Sequence, residues 1–264
     1  MTVSAGEAAR RLGVSPATIQ RWADGGVLHA ERTPGGHRRI YVTELRRLIS
    51  ANRPKDLSGP LAGWLDVLMG GDPRKVKTAL LAARQSAETW AEPADEIASA
   101  IAELGRQWEA GACQIFEEHA VSETLRRGVA LCAAELSCGP DAPRAVLFTV
   151  EGERHTLGLT LAELVLAEAG WRCFWLGEGP PSEELESLVE RLKPDLLAVS
   201  ASSVTSPRSV AHYQVELSRL AAKSHVELGL AGSGAWVPDP KVYRLSSFDD
   251  LRAFLVEKNL RAAS

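Results

Sequence analysis

The stretch ARRLGVSPATIQRWADGGVLHAERTPGGHRRIY, residues 9–41, decides how the first part of this chain folds. Ser4 and Glu7 just upstream have the spacing of a capping box, which opens a helix with Ala8 and Leu12 facing inward. Gly13 permits a tight turn. Ser15 can cap a second helix and Pro16 suits its first position. Ile19 and Trp22 face the core, which leaves Ala17, Thr18 and Arg21 on the outer face. Gly25 and Gly26 end that helix. Two short strands then flank the turn sequence Thr33-Pro34-Gly35-Gly36, the second reading His37-Arg38-Arg39-Ile40-Tyr41. Thr43 is expected to cap a further helix with Leu45, Leu48 and Ile49 inward.

Charge follows the same division. Residues 1–55 hold ten Lys/Arg against four Asp/Glu, and the remainder holds 20 against 30, for a net charge of −4. A basic head on an acidic body suits a phosphate-binding module joined to something that avoids phosphate. The four cysteines, Cys113, Cys132, Cys138 and Cys173, are scattered with no C-x-x-C pair, which argues for reduced thiols rather than a metal or disulfide frame. No apolar run is long enough to span a bilayer and the N-terminus has no signal-like region, so the expectation is a cytoplasmic protein with no membrane partner.

The head, residues 2–50, resembles the MerR family of transcriptional regulators, whose winged helix-turn-helix binds double-stranded operator DNA. The resemblance implies that Thr18, Arg21 and their neighbours enter the major groove. It also implies that His37, Arg38, Arg39 and Tyr41 on the wing hold phosphates or the minor groove. One such module has too little surface for tight specific binding, so an oligomer on a repeated operator is expected. The long dimerisation helix usual after a MerR wing is replaced here by Pro54, Gly59 and Pro60, and self-association must come from the domains C-terminal to them.

The expected domains are the head at 1–50, a linker at 51–60, a helical bundle at 61–140 and an α/β domain at 141–264. In the third, Val76, Ala79, Leu80 and Ala83 recur at helical spacing, as do Ile97, Ile101, Leu104 and Trp108. In the fourth, apolar runs at 145–150, 173–177, 196–200, 226–232 and 242–245 alternate with helical patterns at 159–169, 182–192, 206–222 and 248–262. That alternation predicts a parallel, doubly wound sheet with its ligand site at the strand C-termini.

Glu153-Arg154-His155-Thr156-Leu157-Gly158 follows the first of these strands. An acid two residues before a histidine can hold Nδ1 and leave Nε2 for a metal. Ser200-Ala201-Ser202-Ser203 follows the third strand and Ala231-Gly232-Ser233-Gly234 the fourth. A dinucleotide site is excluded because no strand precedes a complete G-x-G-x-x-G. The set resembles a Rossmann-like cobalamin-binding domain. The resemblance makes His155 the cobalt ligand and Glu153 its partner. It places Gly158, Ser200, Ser202 and Gly232 along the groove for the cofactor's nucleotide tail.

In the helical segment, Trp108 is followed after nine residues by Glu118-His119. On one helix these would not share a face, since ten residues turn about 1000°; Gly111 offers a break between two helices. Beside a cobalamin domain this spacing resembles the CarH/LitR group of adenosylcobalamin-dependent photoreceptor repressors. The group's order is winged helix-turn-helix, four-helix bundle and α/β cobalamin domain. The resemblance implies that Trp108, Glu118 and His119 face the adenosyl group, and that a dark tetramer holds the operator until light dissociates it. One departure is Glu109, where the group's best-known members have a histidine. A regulator sensing cobalamin without light, or another chromophore such as a bilin, is the alternative. A cobalamin enzyme is disfavoured because it would need a separate substrate barrel.

Overall fold

A computed structural model describes residues 2–12, 16–26, 28–33, 35–44, 60–109, 115–136 and 138–262. The expected cap Ser15, the turn residue Pro34, the inward Leu45, Leu48 and Ile49 and the break at Gly111 lie outside them. Contacts divide the chain into two compact units, residues 1–65 with 100–121 and residues 66–99 with 122–264.

The N-terminal module opens with β1 (Thr2–Ser4), a strand that the sequence pattern does not predict. Ser4 ends this strand and caps α1 (Ala5–Leu12), its hydroxyl accepting from the Glu7 N–H at 3.2 Å. Helix α2 (Pro16–Asp24) closes with the Gly25 N–H on the Arg21 carbonyl at 2.9 Å, and Gly26 follows at φ 73°. Strands β2 (Ala30–Arg32) and β3 (Arg38–Tyr41) form the expected wing. The Gly36 N–H reaches the Thr33 carbonyl at 2.8 Å and Gly36 sits at φ 80°, a conformation that a side chain would strain. The antiparallel sheet order is β1-β3-β2. Ala8, Ala9, Ile19, Leu28 and Ile40 make a small buried core, flanked by Val3 and Trp22. Residues 42–44 are helical, so Thr43 falls inside the helix it was expected to cap.

Four helices come next: α3 (Pro60–Met69), α4 (Pro73–Gln85), α5 (Ala91–Glu109) and α6 (Ile115–Ala133). Pro60, expected in the linker, instead occupies the first position of α3, where its missing N–H costs nothing. Asp72 caps α4 by accepting from the Arg74 N–H at 3.0 Å. Val76, Leu80, Ile97, Leu104, Leu125 and Val129 are all buried. Where α4 crosses α6, a Cβ added at Gly128 would lie 2.4 Å from Val76 Cγ1.

The rest is the expected doubly wound α/β domain. Strands β4 (Arg144–Glu151), β5 (Arg172–Gly179), β6 (Leu196–Ser200), β7 (Glu227–Ala231) and β8 (Tyr243–Leu245) form a parallel sheet of order β5-β4-β6-β7-β8. Helix α7 (Leu157–Glu168) follows β4. A short 3-10 turn leads into α8 (Leu185–Leu192), and α9 (Pro207–Ser224) and α10 (Phe248–Ala262) complete the fold. Val146, Phe148, Val150, Leu197 and Val199 on one sheet face pack against Leu185, Val189, Val210 and Leu217.

Polar struts join α4, α5 and α6 to this domain within the second unit. The Glu168 carboxylate accepts from Arg84 Nε and from the Trp90 N–H, each at 2.8 Å. Asp95 accepts from the Phe248 N–H at 3.0 Å, at the start of α10. Arg126 donates to the Thr156 hydroxyl at 3.1 Å. No described helix is long and apolar enough to cross a membrane.

The crossing at Gly128 yields a direct expectation. Gly128→Val forces the side chain into Val76 and should destabilise the second unit by about 1–3 kcal/mol. Urea unfolding checks it, and an unchanged midpoint would show that the helices separate at no cost.

Candidate cofactor and DNA-binding sites

The chain enters the sheet at β4, steps outward to β5, then crosses to β6 on the other side of β4. The β4/β6 boundary is therefore the point where the winding reverses, and its C-terminal end is where such sheets open a crevice. Both loops singled out from the sequence leave the sheet there.

Glu153 lies at the centre of that crevice and is 3% exposed. Its Oε1 accepts from the His155 N–H at 2.9 Å and pairs with the His155 ring at Nδ1. Its Oε2 accepts from the Ser202 N–H at 3.1 Å and from the hydroxyls of Ser202 and Thr205. Burial by itself would raise the carboxyl's pKa. The hydrogen bonds from Ser202, Thr205 and His155 outweigh it and hold the group far below its ordinary 4.5. Glu153 is thus a fixed anion, and it orients the His155 ring by the nitrogen it holds. The His155 side chain is 65% exposed, so Nε2 is the nitrogen left for a ligand.

The small residues divide into two kinds. Gly158, in the first turn of α7, has open space before it, since an added Cβ would meet nothing within 4 Å. Gly232 has none: at φ 80° its Cβ would lie 2.3 Å from the Ala201 carbonyl oxygen and 2.8 Å from Ser200 Oγ. Glycine is required there so that the ends of β6 and β7 can close together. Ser200 is buried against it.

Thr205 and Thr149 belong to the site although no motif marked them. Thr149, fully buried between Phe148 and Val150, donates its hydroxyl to the Glu153 carbonyl and so fixes the loop's backbone. A polar residue inside an apolar run was the available signal. Thr205 lies just past the Ser200–Ser203 run.

On the N-terminal module, Arg21, His37 and Arg39 are exposed and Thr18 is half-buried. Ser4, Gln20, His37 and Arg39 border a cleft of about 410 Å³ between α1, α2 and the wing. Two expected contact residues are engaged within the module. Arg38 pairs with Asp24 at the end of α2, and the Tyr41 hydroxyl donates to Glu31 across the wing. His119 is exposed in the first turn of α6. Trp108 lies in the last turn of α5 and Glu118 in the first turn of α6; their side chains lie outside the described ones.

A helix-turn-helix domain model matches residues 2–53 and a B12 binding domain model matches residues 61–133. The HTH-type transcriptional repressor CarH of Myxococcus xanthus is 28% identical over 249 residues, covering 81% of this chain and 82% of its own. The repressor CarA of the same organism is 29% identical over 119 residues, covering 45% and 41%. The chain is a B12-binding transcriptional regulator, similar to CarH over most of its length. The monomethylamine corrinoid protein of Methanosarcina barkeri shares the fold, with a TM-score of 0.53 at 15% identity, over 74% of this chain and 96% of that one.

The crevice fits a corrinoid. A buried anion presents one imidazole nitrogen outward, and the start of α7 is left open beside it.

The depressed Glu153 carboxyl makes acid stability a readout. A lowered folded-state pKa stabilises the fold fully above about pH 4.5, and that contribution drains away as pH falls toward the folded value. Denaturant unfolding should therefore show the wild type losing stability between about pH 5 and 3. Glu153→Gln, which has no such proton to bind, should lose less over that interval. Equal losses would mean that the carboxylate is not held as the geometry requires.

Proposed function

We propose that this regulator is a repressor that senses light through adenosylcobalamin, assembling on its operator in the dark and leaving it after illumination. The reading rests most heavily on the buried Glu153 holding an outward-facing His155 at the sheet's reversal point, in a chain that also carries a DNA-binding head. Its proposed domains are a DNA-binding head at 1–50, a linker at 51–60, a helical segment at 61–140 and a cofactor domain at 141–264.

His155 is the proposed lower ligand to cobalt, with Glu153 keeping the ring in the tautomer that offers Nε2. Gly158, Ser200, Ser202 and Gly232 are proposed to border the nucleotide tail. Trp108, Glu118 and His119 are proposed to read the adenosyl side. Adenosylcobalamin, when bound, supplies a cobalt–carbon bond weak enough for visible light to break. The chain's part is to make its self-association depend on that upper group, so that cofactor binding energy is coupled to assembly. Thr18, Arg21, His37, Arg38, Arg39 and Tyr41 are the proposed DNA contacts. In their present positions Arg38 and Tyr41 would act largely by holding the wing, and Arg21 would read base edges.

Glu109 favours a second reading. Without a histidine next to Trp108, the chain could sense cobalamin with no light step, and the same experiment separates the two. Size exclusion with light scattering should show adenosylcobalamin in the dark giving a larger species, expected to be a tetramer, which light returns to smaller ones. Methylcobalamin should not give it. One mass under all conditions sinks the light reading, and assembly insensitive to light leaves the cobalamin-sensor reading standing. His155→Ala should abolish the histidine-ligated spectrum and weaken uptake, and unchanged spectra would remove His155 as ligand.

The head yields a separate expectation. Arg21→Ala should cost specific-operator binding about 1–3 kcal/mol and random duplex much less. Equal losses on the two duplexes would reduce Arg21 to a phosphate contact.

A further inference from the structure

Strand β5 is the outer strand of the parallel sheet, and no other described strand pairs with its far edge. Its eight residues run about 26 Å. The crossover helix α8 after it has eight residues and covers only about 12 Å. Part of the strand's face is accordingly left bare. Phe174 is 41% exposed and Leu176 37%, both on the side of the strand that also carries Arg172 and Glu178. A long edge with exposed apolar side chains invites another chain to pair with it.

The order of side chains on that face says which chain. Reading along the strand, the outward residues are Arg172, Phe174, Leu176 and Glu178, and Trp175 is the midpoint. Set two copies antiparallel about a two-fold axis at Trp175. Phe174 of each then lies opposite Leu176 of the other, and Arg172 of each opposite Glu178 of the other. The pattern is complementary to itself, as a two-fold interface requires: Arg172 meets Glu178 across the axis, where Glu178 also lies 4.0 Å from Arg154 of its own chain. The Arg172 guanidinium rests on the carbonyls of Gly139 and Pro140 at 3.1 Å each, which keeps it at the strand's end.

We infer that the β5 edge is a self-association surface whose occupant is a second copy of this chain, joined antiparallel around Trp175. This contact needs no cofactor and is independent of the assembly proposed above. A register shift at Leu176–Gly177, where Gly177 sits at φ 80°, bends the edge and keeps the paired stretch short. The contact is therefore weak between free molecules. It gains strength when two copies are held side by side, as on adjacent operator half-sites.

The test uses the full chain without cofactor, in sedimentation velocity from low to high micromolar concentration. The wild type should show a concentration-dependent monomer–dimer equilibrium. Phe174→Lys and Leu176→Glu should each weaken it about tenfold or more. The double variant should regain dimers, now sensitive to salt, because each new lysine faces a new glutamate across the axis. Both residues are exposed, and circular dichroism with thermal unfolding verifies that each variant is folded. A wild type that stays monomeric throughout overturns the proposal, as does a dimer indifferent to either single change. A double variant that remains monomeric overturns the antiparallel register on which it rests.

Discussion

A buried carboxylate is costly unless every lone pair is used, and Glu153 uses its own fully. That constraint organises the crevice. Because the two oxygens draw on different loops, one carboxylate ties the end of β4 to the end of β6 across the sheet's reversal point. His155 is exposed, yet it is not loose. Its main-chain N–H and its ring both lead back to the same buried anion, so a half-exposed ligand candidate inherits the rigidity of the core.

The helical segment bears on this crevice through Arg126. Thr156 stands at the N-cap of α7, where a threonine hydroxyl ordinarily accepts from a first-turn N–H, yet it makes no such bond. Its oxygen is taken by Arg126 instead. With the Glu168 and Asp95 struts, this gives the junction between helices and sheet several directional polar bonds.

Much of this was legible in the sequence because it rests on local rules. β6 and α10 have the expected bounds, and the other strands differ by a residue or two, since apolar runs bounded by turns leave little latitude. The pairing of Glu153 with His155 was readable from their spacing alone. The features that escaped depend on partners distant in sequence. β1 is three residues long and is a strand only because β3 lies beside it. Thr205 acts on a residue 52 positions away. Gly232 fitted the motif, but the space its missing side chain leaves is filled by Ala201, which no spacing rule reveals. The MerR resemblance implies a DNA contact at Arg38, and only the fold shows Asp24 against it.

That last pair has a mechanical consequence. With its guanidinium paired to Asp24, and Ile40 in one core with Ile19, the wing is braced against the helix that precedes it. The fold of the head thus presets the gap between helix and wing, as the setting of a caliper does. On the proposed DNA contacts, the spacing of helix tip and wing tip would be set before a duplex arrives, and the duplex would do the adjusting.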